Sequence, residues 1–192
     1  MVLTPSNMMP LETRAPDFKL IDVSTDELVT LKEIQSDIGT VVMFICNHCP
    51  YVKYIQEMLL ALARDYILKG ISFVAINSNN PMAYPEDGPE EMKRLAKELG
   101  FPFPYLFDVT QKIARSYGAA CTPDFFVFDG DLKCVYRGQF DESRPGNHHP
   151  ITGKDLAEAL DCLLTGQEVT PDQHPSIGCN IKWFETEAIG AR

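Results

Sequence analysis

The order of elements along this chain predicts an α/β sandwich, in which parallel strands, a hairpin and a closing helix share one mixed sheet flanked by helices. Three observations carry that expectation. Val41–Ile45 and, Ser72 apart, Ile71–Ile76 are continuous apolar runs without polar alternation, as strands buried on both faces require. Between them, apolar residues recur at spacings of three and four, the period of a helix. Further on, Phe125–Phe128 and Leu132–Arg137 flank Asp129-Gly130-Asp131, a strong antiparallel hairpin signal.

Taken in order, Ala15-Pro16-Asp17 opens a first strand pair, Phe18–Asp22 and Glu27–Leu31, joined by the turn-rich residues 23–26. The helix after Cys49 sets Tyr51, Ile55, Met58, Leu59, Leu62 and Tyr66 on one face, and Gly70 stops it. Residues 77–89 carry three prolines and no periodicity, so they form a loop long enough to be a lid or a rim. Glu90–Leu99 is an amphipathic helix with Met92, Leu95, Ala96 and Leu99 inward. Pro102–Phe107 is a short strand and Thr110–Tyr117 a short helix. Thr152 and Asp155 have the spacing of a capping box ahead of the last helix, whose buried stripe is Leu156, Leu160, Leu163 and Leu164. The expected organisation is an extension over 1–14, one domain over 15–166, and a tail over 167–192 packed on that domain. Pro175–Trp183 is the tail's one compact piece.

A chain of 192 residues can bury a single core without disulfide staples. Its net charge of −10 argues against a nucleic-acid partner, because phosphate backbones are bound by concentrated Lys and Arg. No run approaches the roughly 18 apolar residues of a membrane span. The first 16 residues lack the basic start and apolar middle of a secretory signal, so the expected setting is the cytoplasm. There the six cysteines (46, 49, 121, 134, 162 and 179) should be mostly reduced thiols, which favours a catalytic over a structural use of the one close pair.

That pair lies in Cys46-Asn47-His48-Cys49-Pro50, where a buried strand hands over to a helix. A spacing of three lets two sulfurs meet across one turn. The helix N-terminus stabilises a thiolate relative to a thiol. An isolated C-x-x-C serves zinc as well as redox chemistry; within a strand–helix–strand context the redox reading is the stronger. Strand Val41–Ile45 holds no carboxylate, which leaves water, His48 or Asp124 to move a thiol proton.

With Cys46-x-x-Cys49 after a strand, and Cys121-Thr122-Pro123-Asp124 just before the hairpin, the chain resembles the two halves of a thioredoxin-fold active site. Ala15-Pro16-Asp17-Phe18-x-Leu20 resembles the opening of the AhpC/TSA (redoxin) branch. Cys46–Val52, Tyr136–Asp141, Ser143–Gly146 and Gly178–Trp183 are similar to the peroxiredoxin-like thioredoxin-family proteins of bacteria. The resemblance spans about residues 15–184. It implies a thioredoxin-like fold with an N-terminal strand pair, an insertion before a cis-proline at Pro123, and a C-terminal tail.

It also implies roles. Cys46 is the attacking thiol and Cys49 the resolving one, cycling between dithiol and disulfide in cell redox homeostasis. His48 favours the thiolate. Thr122 and Pro123 offer a backbone edge to an extended protein substrate, which adds as a strand beside the disulfide. The partners are then a protein or small-molecule thiol or disulfide and an unidentified reductant; no cofactor, metal or membrane is expected. Cys121 and Cys179 are candidate auxiliary thiols, with packing as the default, and Cys134 and Cys162 are core. His148 and His149 read as exposed, and Arg137 and Arg144 as surface partners of Asp141 and Glu142. The first alternative is an antioxidant thiol peroxidase. Aligned on Cys49, however, the proline and threonine of the peroxiredoxin signature are replaced by Val42 and Cys46, and Pro123 falls near that family's arginine. The second is a copper metallochaperone of the Sco type, with His148, His149 or His174 as a distant ligand to the paired thiols.

Overall fold

The computed structural model describes residues 3–184. Its centre is a seven-stranded mixed sheet. The strands are β2 (Lys19–Asp22), β3 (Leu28–Thr30), β4 (Gly39–Phe44), β5 (Ser72–Asn77), β6 (Tyr105–Phe107), β8 (Asp124–Asp129) and β9 (Cys134–Gly138), in the order β3-β2-β6-β5-β4-β8-β9. β4 runs parallel to β5 and antiparallel to β8, with Phe44 opposite Ile76 on one side and Asp124 on the other. All six residues of β4 are buried, as a central strand covered on both faces must be.

Alternation along that strand divides the interior in two. Val41 and Met43 face a core built with α2 (Pro50–Leu68), α3 (Pro89–Leu99) and α5 (Lys154–Thr165), including Ile55, Leu59, Met92, Leu156 and Leu160. Val42 and Phe44 face the other core, with Leu31 of α1 (Leu31–Ile34), Ala114 and Tyr117 of α4 (Lys112–Tyr117), and Phe126 and Phe128. Each fully buried aliphatic or aromatic side chain contributes about 1.5–3 kcal/mol. The two-sided burial of β4 therefore anchors the residues that follow it.

Several elements differ from expectation. The strand expected to run through Leu31 ends at Thr30, which caps α1: its hydroxyl accepts from Glu33 N–H while Glu33 accepts from Thr30 N–H. The capping box expected at Thr152 does not form. Gly153 is the N-cap in a left-handed conformation, and a Cβ there would lie 2.6 Å from Phe140 and 2.8 Å from Leu62. Asp141 instead accepts from Thr152 N–H and Gly153 N–H. In α2, Met58 is exposed rather than inward.

A second, three-stranded sheet has no counterpart in the sequence pattern. β1 (Leu3–Pro5) and β10 (Ile177–Asn180) pair antiparallel, and β10 pairs in turn with β7 (Cys121–Thr122). The two ends of the described chain thus meet beside the segment that leads into Pro123. Among the described residues no helix is long and apolar enough to cross a membrane.

Candidate active site

The C-terminal end of β4 delivers Ile45 and Cys46 to one edge of the sheet, where the chain makes a non-helical turn through Asn47 and His48. α2 begins only at Pro50, so Cys49 is its N-cap and Cys46 lies ahead of the helix. The two sulfurs do share a hydrogen bond, but across that turn rather than across a helical one. Both cysteines are buried, Cys46 at 2% exposure and Cys49 at 0%.

Electrostatically the pair is unequal. S–H donation from Cys179 and from Cys46, with help from Thr122 and the Val52 N–H, pulls the Cys49 thiol down to about 2 against the cost of burial. Burial pushes Cys46 well above the ordinary thiol range, and its hydrogen bond to Cys49 and the charge of Asp87 push the same way. The negative charge of the reduced site therefore sits on Cys49, at the positive end of α2, and Cys46 keeps the shared proton.

His48 is held by a carboxylate from another loop. Its Nδ1 lies 2.5 Å from Asp87 Oδ2 and 3.7 Å from Cys46 Sγ. A carboxylate only accepts, so Nδ1 donates to Asp87 and is not an open base for the Cys46 proton. Asp87 is fully buried and also accepts from Asn47 N–H at 2.7 Å, His48 N–H at 3.2 Å and the Asn79 amide at 2.8 Å. These bonds hold its own pKa below the usual carboxylate range despite burial. Tyr105 donates to Asn47 Oδ1, and Tyr84 stacks on the imidazole with ring centroids 4.3 Å apart. The carboxylate thus clamps the whole Cys46–His48 turn. His48 Nε2 is buried without a partner among the described residues.

Asp87 and Tyr84 come from the loop 77–89, whose 3₁₀ turn Pro85–Asp87 aims the carboxylate inward. Sequence reasoning missed both, because a polar, proline-rich segment carries no periodic signal of burial. Asp124, considered earlier for proton transfer, points elsewhere. It is fully buried on β8, accepts from Ser6 at 3.1 Å, and desolvation raises it to about 8.

The Thr122–Pro123 peptide bond is cis. Thr122 Oγ1 lies 3.4 Å from Cys46 Sγ, and its carbonyl oxygen lies 3.2 Å from Cys49 Sγ. The Thr122 backbone edge is already taken, because Cys179 of β10 stands opposite Thr122 and Asn180 opposite Cys121. An incoming strand would have to displace β10. Pairing between residues nearly 60 positions apart has no local signature, which is why that edge looked open in the sequence.

Of the auxiliary thiols, Cys179 Sγ is 2.9 Å from Cys49 Sγ. Cys121 points away, toward the carbonyls of Pro123 and Ser176, and burial pushes its pKa far up. Cys134 is core, whereas Cys162 is only half-buried. Arg137 donates to the Met9 carbonyl and to Gln173, and Arg144 to the carbonyls of Asp141 and Ser143 and to Gln139; both hold loops rather than acidic side chains. His148, His149 and His174 are exposed. Among the described residues, the atoms spaced to share a metal ion are those of Cys46, His48 and Asp87, all within 4.8 Å of one another, so the histidine beside the thiols is His48.

A mixed sheet between helix layers, with paired thiols ahead of a helix and a cis-proline facing them, defines a thioredoxin-like redoxin. The AhpC/TSA family model matches residues 11–137, and the chain belongs to that family. It is 57% identical to an uncharacterized conserved protein from Geobacillus kaustophilus, with a TM-score of 0.96 over 97% of this chain and 98% of that one. A hypothetical protein from Sinorhizobium meliloti is 48% identical, with a TM-score of 0.93 over 95% and 100% of the two chains. The peroxidoxin BcpB from Mycobacterium tuberculosis shares the fold at 21% identity and a TM-score of 0.61, over 82% of this chain and 98% of that one. No curated protein matches significantly.

Proposed function

We propose that this protein is a cytoplasmic thiol–disulfide oxidoreductase that cycles Cys46 and Cys49 between dithiol and disulfide. The observation that carries the reading is the approach of these two sulfurs within hydrogen-bond reach, at the tip of α2 and against Thr122. Cys46 passes that proton to Cys49, and its sulfur attacks one sulfur of the substrate disulfide. The substrate S–S bond breaks, and the departing thiolate takes a proton from solvent. Cys49 then attacks Cys46, forming the intramolecular disulfide. The second substrate sulfur leaves with the proton that Cys49 held. A thiol reductant restores the dithiol by the reverse exchange.

Cys46 is the better placed attacker because Cys49 lies beneath Thr122 and Cys179. His48 and Asp87 position the turn. Since β10 covers the Thr122 edge, a small disulfide, or a peptide that displaces β10, suits the site. Reduction of a disulfide substrate such as insulin, driven by dithiothreitol, should be accelerated by the wild type and not by Cys46→Ser, while Cys49→Ser should accumulate a mixed disulfide at Cys46. Equal rates in wild type and Cys46→Ser would refute the proposal. Peroxide consumption that survives Cys46→Ser but not Cys49→Ser would replace it with peroxidase chemistry at the N-cap thiolate.

A further inference from the structure

Cys179 belongs to the tail, yet it is the sulfur nearest Cys49 among the described contacts, at 2.9 Å. Disulfide sulfurs sit about 2.05 Å apart, so bond formation requires a movement of less than about 1 Å. β10 fixes the approach, since Cys179 is held opposite Thr122 in an antiparallel ladder and is 1% exposed. The tail beyond it is tied down as well: Ile181 N–H donates to Ala120, Lys182 N–H to Asn79, and Asn80 N–H to the Lys182 carbonyl.

The charge arrangement gives this contact a sequence of events. In the reduced site the largest influence holding the proton on Cys179 is its hydrogen bond to Cys49, followed by burial. Once Cys49 enters a disulfide, its negative charge is gone. Burial alone then opposes the influences that favour a Cys179 thiolate, namely the Lys182 charge and the Tyr51 N–H in the first turn of α2. Oxidation at Cys49 therefore arms Cys179.

We propose that Cys179 is a third redox-active sulfur, which attacks Cys49 in the Cys46–Cys49 disulfide and moves the bond to Cys49–Cys179. This step rests on the thiol–disulfide reading above. The Cys49–Cys179 bond forms as the Cys46–Cys49 bond breaks, and Cys46 leaves as a thiolate that takes the proton shed by Cys179. No electrons are gained or lost, so the exchange needs no external oxidant or reductant. Its product stores the oxidising equivalent between two sulfurs buried beneath β10 and returns Cys46 to the thiol form. The cross-link also pins the C-terminal strand to the tip of α2.

Disulfide mapping after treatment with one equivalent of diamide, acid quench and maleimide blocking tests this. Wild type should yield a Cys49–Cys179 linkage with blocked Cys46 in a substantial fraction of chains. Cys46→Ser should yield the Cys49–Cys179 linkage alone, and Cys179→Ala the Cys46–Cys49 linkage alone. Cys179→Ser is made in parallel, and circular dichroism spectra of all variants check folding. If Cys179 remains fully blockable in both oxidised wild type and oxidised Cys46→Ser, the proposal is overturned. If Cys46→Ser forms Cys49–Cys179 while neither Cys179 variant forms Cys46–Cys49, the dithiol cycle of the preceding section falls and the exchange step with it, and Cys179 is then the direct redox partner of Cys49.

Discussion

Replacing Asp124 with asparagine probes the most heavily desolvated carboxyl near the cis-proline. In the fold this group titrates at about 8, chiefly because it is fully buried on β8, with Ser6 as one partner and Oδ1 without any among the described residues. An unfolded aspartate titrates near 3.9. Between those values the folded protein holds a proton that the unfolded chain has released. Stability therefore falls as pH rises from about 4 and levels off above about 8. The slope is about 1.4 kcal/mol per pH unit, with a ceiling near 5 kcal/mol, a large share of the 5–15 kcal/mol typical of a domain. An amide has no proton to lose over this range and keeps the Ser6 bond. Guanidinium unfolding of wild type and Asp124→Asn at pH 5, 6, 7 and 8 reads the effect directly. The variant should gain about 3–4 kcal/mol on the wild type between pH 5 and 8, since contributions shared by the two proteins cancel in the difference. A stability difference that stays constant over this range would refute the reasoning. Its disulfide-exchange rate should stay within about twofold of the wild type, because no described contact joins Asp124 to Cys46 or Cys49.

Asp87→Asn replaces an acceptor of four hydrogen bonds with an amide that adds two donors of its own. It should destabilise the protein by about 3 kcal/mol, read by chemical denaturation. Losing a charge within 4.8 Å of Cys46 Sγ should also move the pH profile of Cys46 alkylation downward by up to about 2 units. An unchanged profile would show that Asp87 does not govern Cys46. Gly178→Ala places a Cβ 2.0 Å from the Thr122 carbonyl, so β10 must lift from β7. The variant should lose about 1–3 kcal/mol of stability, and Cys49 should be alkylated at least about tenfold faster. Wild-type protection of Cys49 in this variant would mean that β10 does not cover the site.

The central strands, the order of the helices, the 129–131 hairpin and the Cys46/Cys49 pairing were legible because each leaves a short-range mark. A strand buried on both faces must be continuously apolar, a helix must repeat its apolar residues at three and four, and a C-x-x-C spacing is visible by inspection. Some boundaries slipped where local signals competed. Thr30 could end a strand or cap a helix, and Glu33 decided it. Thr152 fitted a capping box, but Gly153 takes the N-cap in a left-handed conformation and Asp141, eleven and twelve residues back, accepts from the Thr152 and Gly153 N–H groups.

Composition and period alone determined an α/β chain with a C-x-x-C pair where a buried strand ends; the redoxin reading came from the resemblance of its motifs. Only the tertiary structure decided which sulfur carries the charge, what orients His48, and what lies on the Thr122 edge. Those outcomes depend on Asp87 reaching in from a loop without periodicity and on Cys179 returning from about 130 residues away. Burial and charge at a point in space sum over groups whose sequence separation leaves no pattern. The contacts of Cys49 with Cys179 and of His48 with Asp87 are of this kind, and the first of them favours negative charge on Cys49.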